Sequence, residues 1–246
     1  MLTALTQTIF RGPSYPPTLS DERTIDLAGL RLPLRATIAV AVMVFVVIFD
    51  FNRTFIPEEL IAYDRNPGMQ RLQAIDRAVL YFVVPLLVIR FLFRDRPSRY
   101  GLQLGDWRTG ATLAVAGCAV MTPVVLWFAG LPDARAYYAP SFSTIPDVAL
   151  TNALDLVSAE FLFRGFLMFA LVRAIGPMGV LVATLPFVFS HLTKPELELL
   201  STLFGGLVYG WLAWRTGSIV WGAAAHIYIL TLLIVVAGMS AGGPAL

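Results

Sequence analysis

A 246-residue chain that is 57% hydrophobic and only 14% charged, with a mean hydropathy of +0.73, carries too little charge to coat a soluble domain of its size. Its net charge of +2 is too small to point to nucleic acid, and its one cysteine, Cys118, excludes a disulfide within the chain. Apolar runs near the ~20 residues that cross a hydrocarbon core recur from end to end, so the chain reads as an all-α, polytopic helical membrane protein with about seven transmembrane helices.

Residues 1–32 are polar and contain proline, and no small-residue cleavage site follows the first apolar run. They read as a lead without regular structure, not as a signal peptide. A first span is expected at about 34–51, with Arg35 and Asp50 at its edges. The stretch NRTFIPEELIAYDRNPGMQRLQ then forms a loop or interfacial helix before a second span at about 74–93. Pro85 is tolerable there, and Arg90 can snorkel to the interface. The basic loop RDRPSRYGLQLGDWRTG places Trp107 as an interfacial anchor.

The remaining spans are expected at about 110–129, 147–174, 176–191, 195–214 and 218–236. Links of only a few residues after the fourth, fifth and sixth make these helices antiparallel neighbours, a compact four-helix core. The chain thus divides into the lead at 1–32, two transmembrane helices with polar loops at 33–107, and a core of about five helices at 108–246. With the N-terminus inside, the inner segments hold roughly twice as many Lys and Arg residues as the outer ones, so the N-terminus is expected in the cytoplasm.

A charge at the bilayer centre costs at least about 2.5–3.5 kcal/mol and usually faces a bundle interior or a wet cavity. Glu160 and Arg164 lie in the fourth span at i, i+4 with the acid first, a spacing that lets them pair along one face. Asp155 falls about 140° around the helix from Glu160 and is expected to cap the helix or pair between helices. The two histidines of the chain, His191 and His226, also sit in or at the end of apolar runs. Each alone reads as an interhelical hydrogen bonder. Together with Glu160 they suggest a site, since imidazole and carboxylate activate water or bind metal near neutral pH.

Between the fifth and sixth spans, SHLTKPELELL places Thr193 three residues before Glu196, as in a capping box. Glu198 is not needed for that cap; it either turns inward toward His191 or favours the helix N-terminus. Gly206 with Gly210, and Gly222 with Ala225, predict close helix approach.

EFLFRG at Glu160–Gly165, FVFSH at Phe187–His191 and GSIVWGAAAH at Gly217–His226 together resemble the CAAX-protease and bacteriocin-processing (CPBP, or Abi) family of intramembrane endopeptidases. YGLQLGDW before the third span is similar to that family's usual lead-in. The family carries EExxxR, FxxxH and HxxxN or HxxxD on successive core helices. The resemblance implies a membrane protease in which the motif carboxylate and the FxxxH histidine, His191, activate water, while the later polar pair, with His226, stabilises the oxyanion. Glu160 and Arg164 match the second glutamate and the arginine. Ala159 stands where the family has its first glutamate, and Leu230 where it has the last polar residue. The chain resembles a branch that pairs xExxFRG with HxxKPxxE, here His191, Lys194, Pro195 and Glu198, and Glu198 is the candidate to replace the missing carboxylate.

The catalytic set expected is therefore Glu160, His191, His226 and Glu198, supported by Arg164, hydrolysing a peptide bond of a peptide or protein substrate at the membrane. The competing reading is a non-catalytic family member that binds a membrane peptide or partner protein, as an immunity or maturation helper. A proton-coupled transporter is a third, without the inverted repeat that would support it. No cofactor is expected, although histidine and glutamate leave zinc open in the absence of HExxH. The expected location is a bacterial inner membrane.

Overall fold

The structure, a computed structural model, describes residues 23–52 and 66–242. Within these residues a single short hairpin is the only β-structure, and the rest of the regular structure is helical, as the apolar runs require. The hairpin pairs β1 (Thr24–Leu27) with β2 (Leu30–Pro33) and corrects the expectation of a structureless lead; residues 1–22 of that lead lie outside the described residues. Its two-residue turn has positive φ at both Ala28 (53°) and Gly29 (85°), as a type I′ connection demands. The alternation Ile25-Asp26-Leu27 and Leu30-Arg31-Leu32 about Ala-Gly is a local signal that composition alone does not register.

Eight helices longer than one turn follow among the described residues, each π-helical segment being counted with the helix it continues. α1 spans Leu34–Asn52. α2 spans Pro67–Leu92 and so begins before the expected position 74, because the Asn66 side chain caps the Met69 amide at 2.9 Å and carries the polar approach into the helix. Two π-helical stretches, Ala78–Val83 and Val88–Leu92, flank Pro85, whose ring and missing N–H disrupt the regular ladder. α3 spans Trp107–Ala129, and the short α4 spans Pro132–Tyr138. α5 covers residues 145–175, close to the expected fourth span, with a π-helical segment at Phe161–Leu167.

α6 (Met178–Phe189) has 12 residues, about 18 Å of helix, and is shorter than the expected 176–191. α7 (Glu196–Thr216) and α8 (Val220–Ser240) complete the chain. Among the described residues five helices, α1, α2, α3, α7 and α8, are long and apolar enough to cross a membrane. The capping box expected at α7 does not form: Pro195 takes the cap position with an extended backbone and no side-chain cap bond, which leaves Thr193 too far upstream.

α1, α3, α6 and α8 start, and α2, α5 and α7 finish, at one end of the bundle. There Asp95, 2% exposed at its side chain, gathers Arg35 at 2.9 Å, Arg99 at 2.9 Å and Arg173 at 3.4 Å. Residues 101–106 dock across the α7–α8 connection through Asp106 N to Thr216 O (2.9 Å) and Ile219 N to Gly101 O (3.0 Å). The contact is close enough that a Cβ on Gly105 (φ 56°) would lie 2.0 Å from the Thr216 carbonyl oxygen. At the opposite end Arg77 bridges Asp50 (3.0 Å) and Asp155 (3.1 Å), tying α1, α2 and α5 and giving Asp155 its interhelical role.

The main core surrounds the π-helical segment of α5. Phe161, Leu162, Phe163, Phe166, Leu167 and Met168 are all essentially inaccessible, so this stretch is enclosed on every side. It delivers Glu160 and Arg164 to the protein interior rather than to lipid.

Candidate active site

Glu160 ends the α-helical part of α5 and Arg164 lies within the π-helical turn that follows. Arg164 Nη1 is 3.3 Å from Glu160 Oε1, and the two side chains are 2% and 1% exposed. The expected pairing is present, and burial makes it consequential, because neither charge has bulk water to fall back on. Arg164 Nη2 is buried without a hydrogen-bond partner among the described residues. The guanidinium sits over the Phe187 ring, with Cζ 3.6 Å from the ring centroid, a desolvated cation–π contact worth on the order of 2 kcal/mol.

His226 comes from the second turn of α8. Its Nδ1 is 2.9 Å from Glu160 Oε1. The carboxylate accepts, so Nδ1 carries the proton and Nε2 is the nitrogen left for other chemistry. Tyr209 of α7 stacks on the imidazole at 5.1 Å and 22°, which fixes the plane of the ring. Gly222, one turn before His226, faces the same group: a Cβ there would meet Tyr209 at 3.6 Å and Glu160 Oε2 at 3.9 Å, ordinary contact distances.

His191 lies just beyond α6, in the turn before α7. Its Nδ1 is 2.8 Å from the Phe187 carbonyl oxygen, with Ser190 Oγ at 3.1 Å. The carbonyl can only accept, so here too the proton sits on Nδ1 and Nε2 presents a lone pair. Among the described residues no hydrogen bond joins His191 to Glu160. What relates them is Phe187, whose ring meets His191 at 4.4 Å and His226 at 6.1 Å while supporting Arg164 on its face. Gly206 keeps this group tight: a Cβ there would come within 2.7 Å of Thr184, 3.2 Å of Phe187 and 3.6 Å of Arg164 Nη2.

Glu198 takes a different set of partners. It accepts from the Tyr138 hydroxyl at 2.6 Å and pairs with Lys194 at 3.3 Å. Of the two placements open from the sequence, Glu198 takes the one in the first turn of α7, and its carboxylate there accepts from Tyr138 of α4. Tyr138 had no signal in sequence beyond the i, i+4 spacing of Lys194 and Glu198, since it lies 56 residues before Lys194. Ala159 packs against the main apolar core, and Leu230 lies in the second cluster with Val125, Leu233 and Ile234. Among the described residues no three His, Cys, Asp or Glu side chains are grouped to hold a metal ion.

This arrangement offers two imidazoles with defined Nδ1 protons, a buried carboxylate and a buried guanidinium around one phenylalanine. It has the components for acid–base chemistry at a carbonyl and for stabilising negative charge. Residues 141–232 match the family described as type II CAAX prenyl endopeptidase Rce1-like. The match contains Glu160, Arg164, His191, Glu198 and His226, and ends before Leu233. No curated protein and no solved structure matches the chain.

Proposed function

We propose that this chain, whose residues 141–232 match the Rce1-like type II CAAX prenyl endopeptidase family, is an integral membrane endopeptidase that hydrolyses a peptide bond with water. The observation that carries the reading is the buried contact of His226 Nδ1 with Glu160 Oε1 at 2.9 Å, beside Arg164 at 3.3 Å. A carboxylate that orients an imidazole and fixes its tautomer is a recurring device where histidine does acid–base work.

In this reading His191 is the base. With Nδ1–H committed to the Phe187 carbonyl, Nε2 accepts a proton from the attacking water and later delivers it to the leaving amine. Glu160 holds His226, which in its doubly protonated form donates through Nε2–H to the oxyanion of the tetrahedral intermediate. Arg164 Nη2 is a second donor for that charge, since it lacks a partner in the resting structure. Phe187 sets the spacing of all three. The substrate is a peptide or protein segment at the membrane, and the end rich in arginine faces the cytoplasm of a bacterial inner membrane.

The test is cleavage by the full chain in liposomes of two probes, a farnesylated C-terminal peptide and a leader peptide. Glu160→Gln, His191→Ala and His226→Ala should each reduce cleavage by about 100-fold or more. Cleavage unaffected by all three sinks the assignment. A second reading, a non-catalytic member that binds a membrane peptide, is favoured by Ala159 and Leu230, which pack as apolar side chains where the resemblance places polar ones. It predicts Glu160-dependent retention of one of these peptides with no cleavage.

A further inference from the structure

We propose that Tyr138 is a positioning residue for His191, and that Lys194 and Glu198 act with it as a latch on the turn carrying that histidine. The inference rests on the peptidase reading but is tested apart from it. α6 stops at Phe189, so His191 stands on a six-residue connection rather than on a helix. Sites on connections are less precise than sites on helices unless something braces them. Between His191 and Lys194 the bracing begins in the backbone, where Lys194 N donates to His191 O at 3.0 Å.

The Lys194 side chain then leaves the turn and enters an aromatic corner of α4. Its Nζ donates to the Tyr138 hydroxyl at 2.8 Å, pairs with Glu198 Oε1 at 3.3 Å, and stands 4.9 Å and 5.2 Å from the ring centroids of Tyr138 and Tyr137. The Tyr138 hydroxyl donates in turn to the Glu198 carboxylate. One hydroxyl thus links α4, the His191 turn and the first turn of α7, through hydrogen bonds in which one member is charged and which are stronger for it. Tyr138 is itself a firm anchor, 2% exposed on a helix whose Ala134 is fully buried.

The same contacts reassign Glu198. Its carboxylate already accepts from Tyr138, faces the Lys194 ammonium and lies in the first turn of α7, where the helix dipole also favours its charge. A carboxylate so committed holds structure; it does not take a proton from water. The Lys-Pro-x-x-Glu spacing after His191 is then a bracing motif, and its third member, Tyr138, lies outside the segment matched to the family.

The chain contains two histidines, so labelling with carbon-13 at Cε1 gives two imidazole signals, and His226→Gln assigns them. Full-length protein in detergent micelles would be compared with Tyr138→Phe, Lys194→Met and Glu198→Gln. Each variant should shift or broaden the His191 signal and leave that of His226 in place. Turnover of an internally quenched farnesylated peptide should fall roughly 10- to 100-fold through kcat with KM little changed. The double variant Tyr138→Phe/Glu198→Gln should lose no more than the worse single one, as expected for residues acting as a unit. Lys194→Met carries the same comparison should Tyr138→Phe not fold. A His191 signal unmoved by all of these changes overturns the latch, as does a Glu198→Gln enzyme that is inactive with both signals in place. Absence of cleavage by the unmodified chain counts against the peptidase reading alone, because the spectra still decide the latch.

Discussion

His226 Nδ1 and Glu160 Oε1 stand 2.9 Å apart although 66 residues separate them in the chain, and Arg164 meets the same oxygen at 3.3 Å. One carboxylate oxygen therefore neutralises a buried guanidinium and orients an imidazole from another helix. The pair is as much a structural joint between α5 and α8 as a chemical group, and the two roles are separable by experiment.

Removing one charge of the joint leaves the other buried and uncompensated. Glu160→Gln should destabilise the protein by about 3–5 kcal/mol, the usual cost of breaking a buried pair. Glu160→Gln combined with Arg164→Met should be less destabilising than Glu160→Gln alone. Thermal unfolding in detergent measures both, and a double variant weaker than the single one would show that Arg164 does not depend on Glu160.

Gly206 is small because Thr184, Phe187 and Arg164 crowd the place its Cβ would take. Gly206→Ala should cost about 1–3 kcal/mol through overpacking and displace Phe187 from beneath Arg164. Activity should fall more steeply than stability, since Phe187 contacts His191 and His226 as well. Cleavage assays at a temperature where the variant stays folded distinguish the two losses.

Asp95 balances three arginines from α1, the 97–100 turn and α5 while almost wholly buried itself. Asp95→Asn leaves three like charges facing one another and should destabilise by about 3 kcal/mol, within the range for a broken buried pair. Asp50→Asn, at the other end, should leave the junction of α1 with α5 at Asp95 intact. Cysteine accessibility at introduced positions near Arg35 and Arg173 would report local opening, and equal protection in wild type and Asp95→Asn would contradict the prediction.

Asp106 lies outside the spans at the start of α3. Burial would raise its carboxyl, but hydrogen bonds from Thr109 and the charge and hydrogen bond of Arg215 outweigh that and hold it below the usual carboxylate range. A carboxyl lowered on folding contributes stability above its unfolded value, near ~3.9, and loses it as pH falls through the folded value. Its side chain is 39% exposed, so solvent screening limits the gain to under about 1 kcal/mol. Asp106→Asn keeps a cap of equal quality and should be slightly less stable than wild type at pH 7. Unfolding midpoints of the two proteins should converge on acidification below about pH 4; a gap that widens there would reverse the sign.

The amino-acid order alone determined the membrane class, the placement of the long apolar helices, and Glu160, Arg164, His191 and His226 as residues too polar for their surroundings. These are local properties: a run of side chains is apolar whatever it packs against, and i, i+4 neighbours meet on any helix. Even the resemblance to a protease family was carried by short local fragments. The boundaries moved where local chemistry was mixed, at Asn66 before α2 and at Pro195 before α7.

Only the tertiary structure decided which of these groups touch. It set His226 on Glu160, placed Phe187 between the two histidines, and turned Glu198 toward Tyr138 rather than toward His191. Partner choice depends on which helix faces meet, and that follows from clearances such as those at Gly206 and Gly105 together with the enclosed π-helical segment that carries Arg164. Such clearances are sums over residues far apart in the chain, so no window of sequence contains them.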